Sequence, residues 1–96
     1  MNNKVSWDEI KNKLNISPEQ EAEIRFEEEI IEATIRVRKQ KKLSQRELSK
    51  ISGVKQSAIA RIEKSVNSPQ TNTLIKLLYP MGYTIAVVPI EEIKKE

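Results

Sequence analysis

Ninety-six residues supply one small hydrophobic core, and the chain holds neither Cys nor His. Disulfide frameworks, the common zinc sites and most nucleophile–base constellations therefore have no residues to build on, so an enzyme, a cofactor site and a metal site are not expected. The longest apolar run, Ile85 to Val88, is far short of a membrane span, and the Met-Asn-Asn-Lys start lacks the apolar core of a signal peptide, which predicts a soluble cytoplasmic protein. The net charge of +3 is unevenly spread: residues 1–30 carry 4 basic and 8 acidic side chains, a net of −4. Residues 31–68 carry 10 basic and 3 acidic side chains, a net of +7, and residues 69–96 carry 3 of each. A basic middle joined to an acidic arm is the electrostatic footprint of a polyanion-binding module attached to something else.

Ser6 followed by Glu9 has the capping-box spacing and predicts a short helix to about Leu14, with Trp7, Ile10 and Leu14 on one face. Those three side chains either pack back on their own protomer or form a partner contact. Asn15-Ile16-Ser17-Pro18 breaks this helix, and Ser17 caps a longer one with Pro18 at its first position, where the missing N–H does no harm. Glu19, Glu21 and Glu23 favour its start, where the helix dipole attracts negative charge, and the helix is expected to reach Gln40. Phe26, Ile30, Ala33 and Val37 make one apolar stripe, and Ile24, Ile31 and Ile35 make a second. Two stripes exceed what a small domain buries, which leaves part of this helix for a partner.

The stretch LSQRELSKISGVKQSAIARI, residues 43–62, organises the rest. Ser44 and Glu47 form a capping box that opens a helix with Leu48 and Ile51 on its apolar side. Gly53 ends that helix, since it enters the left-handed conformation without steric cost. A second helix follows from Val54, with Ile59 and Ile62 inward and Gln56, Ser57, Ala60 and Arg61 outward. Leu48, Val54, Ile59 and Ile62 set the inner face, and Ser49 is small enough for close helix approach. Two helices joined by a short Gly-containing turn make a helix-turn-helix, a DNA-reading module. A polar loop, Ser65 to Pro69, precedes a helix with Leu74, Leu77 and Leu78 inward, which Tyr79-Pro80-Met81-Gly82 ends. Residues 83–88 are rich in β-branched side chains and are closed by Pro89, so they read as a strand. With no second strand signal, the expected partner is the same strand of a second copy across a two-fold axis, through Tyr83, Ile85 and Val87. A partner protein's sheet edge is one alternative, and a merely extended, exposed tail is another, the least favoured by its apolar content. The fold expectation is thus all-α, about five helices with one short C-terminal β-strand. An acidic arm covers 1–29, the DNA-binding domain 30–82, the dimerisation strand 83–90 and a charged, frayed tail 91–96.

Residues 43–69 resemble the phage-repressor type of helix-turn-helix, the Xre/Cro family. The shared features are Ser44-Gln45, Leu48, Gly53-Val54, Gln56-Ser57, Ile62-Glu63 and the Asn67 to Pro69 loop. Three positions depart from that pattern. Lys42 and Ser65 stand where Gly is usual, and Lys55 replaces a capping Ser or Thr at a cost of ~1 kcal/mol at most. The resemblance implies that the helix from about Lys55 enters the major groove by its N-terminal end. Lys55, Gln56, Ser57 and Arg61 would then face bases, with Gln56 bridging adenine N6 and N7 and Arg61 reaching guanine. Gln45, Lys50, Lys64 and Asn67 would meet the phosphate backbone. Glu63 would instead hold neighbouring groups within the domain.

Over nearly the whole chain the layout is also similar to HigA-like, and in its ending to HipB-like, antitoxins. The similarity rests on SWDEIKNKL with the acidic run behind it, on QSAIARIEK and on LLYPMGYTIAVVP. It implies a bacterial homodimer that represses its own operon at a palindromic DNA operator. It also implies neutralisation of a basic ribonuclease toxin of the RelE/HigB class through the N-terminal helices, Trp7, Ile10 and Leu14 among them. No membrane or small-molecule partner is implied. A stand-alone phage-type repressor would keep the DNA reading without the toxin, and a protein-only adaptor would lose the DNA.

Overall fold

Two serine caps start the architecture. The structure is a computed structural model, and it describes residues 15–66 and 68–93. The helix expected from Ser6, with Trp7, Ile10 and Leu14, lies outside the described residues, as do Asn67 and residues 94–96. Helix α1 spans Pro18–Gln40. The Ser17 hydroxyl accepts from the Gln20 N–H at 3.1 Å, and the Gln20 side chain accepts from the Ser17 N–H at 2.9 Å, a reciprocal cap. At the other end Lys42 adopts a left-handed φ of 59°, and the Leu43 N–H reaches back to the Arg38 carbonyl at 3.1 Å. That six-to-one bond is the Schellman ending, built here without glycine.

Helix α2, Gln45–Ser52, repeats the reciprocal cap with Ser44 and Glu47. Gly53, with φ of 79°, ends it and donates its N–H to the Ser49 carbonyl at 2.9 Å. Helix α3, Gln56–Glu63, starts at Lys55, whose side chain makes no capping bond. It ends on Ser65, also left-handed at 59°, where the Val66 N–H closes a second Schellman bond to the Arg61 carbonyl at 3.0 Å. Lys42 and Ser65 are thus the two positions where a glycine is usual, and both keep the glycine backbone. Helix α4, Thr71–Leu78, continues into a 3-10 turn, Tyr79–Met81, that Gly82 terminates at φ of 91°. A one-turn helix α5, Ile90–Ile93, forms where a frayed tail was expected.

The core joins all four main helices. Ile31 and Val37 from α1, Leu48 from α2, Ile59 and Ile62 from α3, Leu77 and Leu78 from α4 and Met81 from the turn form one buried cluster, and Leu74 is buried as well. Leu48, Ile59 and Leu77 are almost fully enclosed. Thr34 is buried on the inner face of α1 and donates its hydroxyl to the Ile30 carbonyl at 2.7 Å, which satisfies it.

One expectation needs correction. Ile51 is half exposed, because the inward arc of α2 runs through Gln45, Leu48, Ser49 and Ser52. At 3.6 residues per turn Ile51 falls on the outer shoulder of that arc. The two stripes of α1 do exceed what the domain buries: Ile31, Thr34 and Val37 face the core, whereas Ile24 and Phe26 are exposed beyond it. Residues 83–89 carry neither helix nor strand in the single chain, and a strand forms only where it has a pairing partner. Ile85 packs on this chain's own core, whereas Tyr83, Val87 and Val88 remain exposed.

Candidate nucleic-acid interface

Helices α2 and α3 present the surface that the sequence singled out. On α3 the buried Ile59 and Ile62 fix the inner face. Gln56, Ser57, Ala60, Arg61 and Lys64 then fall within an outward arc of about 140°, and all but the half-buried Ala60 are exposed. Lys55 is exposed immediately before them. Because Lys55 supplies no side-chain cap, the first-turn N–H groups of α3 keep their hydrogen-bonding capacity for something outside the domain. Lys50 is exposed on α2. Gln56, Ser57, Arg61 and Lys64 therefore share one exposed face of α3, whereas Gln45 is half-buried and Asn67 lies outside the described residues.

The orientation of α3 is held by one acid. Glu63, at its last turn, accepts from Arg38 of α1 through both carboxylate oxygens, Nε at 2.7 Å and Nη2 at 2.9 Å. Gln45, at the first turn of α2, donates its amide to the same carboxylate at 2.9 Å. Arg38 also donates to the Leu43 carbonyl at 2.8 Å, in the turn between α1 and α2. One carboxylate and one guanidinium thus tie together the end of α1, the start of α2 and the end of α3. Planar bidentate pairing suits this role, because it fixes angle as well as distance.

Partial burial would raise the pKa of Glu63, but donation from Arg38 and Gln45 and the positive charges of Arg38 and Lys39 outweigh it and hold the carboxyl below its ordinary value. Glu47 is also lowered, by the Ser44 N–H, then the Ser44 hydroxyl and the charge of Lys50.

Gln45 is therefore half committed. One of its two amide hydrogens goes to Glu63, and the second has no acceptor among the described residues. Two residues escaped the reading of the sequence. Arg38 sits on the core-facing side of α1, four residues beyond the buried Thr34 and seven beyond Ile31, and a lone arginine on an apolar stripe was the signal for a buried acidic partner. Arg46 is exposed in the first turn of α2 beside Gln45, and the basic character of residues 31–68 was its signal.

Among the described residues no group of three or more His, Cys, Asp or Glu is placed to hold a metal ion. No described helix is long and apolar enough to cross a membrane.

Comparison with known proteins places the chain beside a family, a relative and a solved structure. The helix-turn-helix family model matches residues 35–87, more than half of the chain. A Haemophilus influenzae protein described as an uncharacterized HTH-type transcriptional regulator is 47% identical over 79 residues, covering 73% of this chain and 81% of its own length. A solved structure described as a toxin-antitoxin module from Streptococcus pneumoniae aligns with a TM-score of 0.70 and 37% identity, covering 90% of this chain and 94% of that one.

Proposed function

We propose that this chain, which belongs to the Xre-type helix-turn-helix family of DNA-binding transcriptional regulators, is the antitoxin of a toxin–antitoxin pair. In this reading a homodimer represses its own operon at a palindromic operator, with α3 in the major groove. The acidic N-terminal region neutralises a basic RelE/HigB-like ribonuclease. The observation that carries the reading is the 90% coverage by the toxin-antitoxin module, which extends well beyond the 35–87 helix-turn-helix match. The net charge of −4 on residues 1–30 supports a basic partner, and the exposed Tyr83, Val87 and Val88 support an association of two copies.

Gln56 is the base reader, Lys55, Ser57 and Arg61 flank it, and Gln45, Lys50, Lys64 and Asn67 contact phosphates. The two roles separate in a binding experiment on operator variants. Gln56→Ala should cost ~1–3 kcal/mol and relax preference at one base position. Gln45→Ala should weaken binding to every site alike and also loosen the hold on Glu63. Equal weakening on all sequences by both variants would remove Gln56 from base reading. The antitoxin assignment is tested by co-purification with intact mass measurement. A small basic protein in fixed ratio is expected. A homodimer alone, from cells expressing the intact operon, would leave a plain repressor without a toxin partner.

A further inference from the structure

The acidic half of α1 does more than carry charge. Residues Ile24, Glu27, Glu28 and Ile31 of α1 and Val66 of the loop after α3 line one groove. Ile31 is 6% exposed and forms its floor, whereas Ile24 at 38% and Val66 at 56% are apolar walls open to solvent. Glu27 and Glu28 are exposed on the rim and make no ion pair among the described residues. The far wall is rigidly built, because the Val66 N–H is held by the Arg61 carbonyl and Ser65 is locked in the left-handed conformation.

We infer that this groove is a docking site for a basic amphipathic helix of a partner protein. Apolar side chains of that helix would cover Ile24 and Val66, and lysines or arginines on its flank would meet Glu27 and Glu28. Charge complementarity selects this occupant. Two unpaired acids beside an apolar floor disfavour a second acidic arm and favour a cation-bearing face, in the helix-in-groove manner. The inference rests on the antitoxin reading for the identity of the partner, and it adds Ile24, Glu27, Glu28 and Val66 as contact residues.

The test uses the full chain and two labelled helical peptides. One is a Leu/Lys peptide with its leucines on one face, and the other is the same peptide with every Lys replaced by Glu. The Leu/Lys peptide is expected to bind with salt-sensitive affinity, and the Leu/Glu peptide to bind at least about tenfold more weakly, a difference of about 1.4 kcal/mol. Ile24→Asp and Val66→Asp add acid, so a purely electrostatic attraction would strengthen in these variants. Docking in the groove predicts that both instead weaken Leu/Lys binding about tenfold or more. Both positions are partly exposed, and thermal melts of the variants should match the parent.

Unchanged or stronger peptide binding in both variants would overturn the inference. A change in the chain's own oligomeric state, with peptide affinity untouched, would give the groove to a second copy and overturn it equally. Rescue assays separate the two claims. If the variants lose rescue from the co-expressed basic toxin, both stand. If rescue persists, the groove assignment falls and the antitoxin reading stands. Peptide docking without any toxin to rescue would leave the groove and remove the antitoxin.

Discussion

The two halves of α1 are one continuous helix with opposite sources of stability. From Pro18 to Ile30 the helix is acidic and exposed, started by the Ser17 cap and a favourable dipole. From Ile31 to Gln40 it is basic, with Ile31, Thr34 and Val37 buried and Arg38 locked to Glu63. The first half is held by local chemistry, the second by tertiary packing. A helix of this length needs only one packed half to persist, which frees the other half to be a surface.

The largest effect that would test this contrast is a pair of truncations. Ile31→Ala should cost about 2–4 kcal/mol and Phe26→Ala under about 1 kcal/mol, because only the first leaves a cavity. Urea unfolding of both variants measures the gap, and equal losses would mean that the first half is also core.

Next is the clamp. Glu63→Ala should cost about 2–3 kcal/mol, since it leaves a largely buried arginine without its acceptor. The clamp also sets an acid dependence. The pKa of Glu63 is lower folded than unfolded, so the clamp's stability is fully present above the ordinary carboxylate value of about 4.3. It is lost as the pH falls through the lowered folded value. Glu63→Gln should erase that part of the acid dependence in melts taken across this window. An unchanged acid profile would mean that Glu63 contributes nothing through its charge.

Smaller effects distinguish the caps. Ser17→Ala and Ser44→Ala should each cost about 1 kcal/mol. Hydrogen exchange should then accelerate only over residues 18–30 for the first, and across the helix-turn-helix for the second, because α2 packs into the core. The smallest effect is a gain. Lys42→Gly and Ser65→Gly should each stabilise by up to about 1 kcal/mol, since a left-handed side chain is relieved while glycine's unfolded freedom offsets part of the benefit. A loss at either position would mean that the side chain makes a compensating contact.

Much of this protein follows from sequence alone, because its determinants are local. Ser17, Ser44, Gly53 and Gly82 start and stop helices through bonds to their immediate neighbours, and the 3.6-residue period places Leu48, Ile59, Ile62, Leu74 and Leu77 inward. The same period turns Gln56, Ser57 and Arg61 outward on α3. What depended on distant contacts was not legible. Ile51 and Phe26 look apolar enough for a core, but whether a neighbouring element lies over them is decided by where α1 and α2 cross the other helices. The resemblance implies that Glu63 holds groups within the domain, but its partners Arg38 and Gln45 lie 25 and 18 positions away, and no local rule couples them. Local hydrogen bonds and periodicity therefore determined the elements, and only the packing of one element against another decided which apolar faces are core and which are left to meet another molecule.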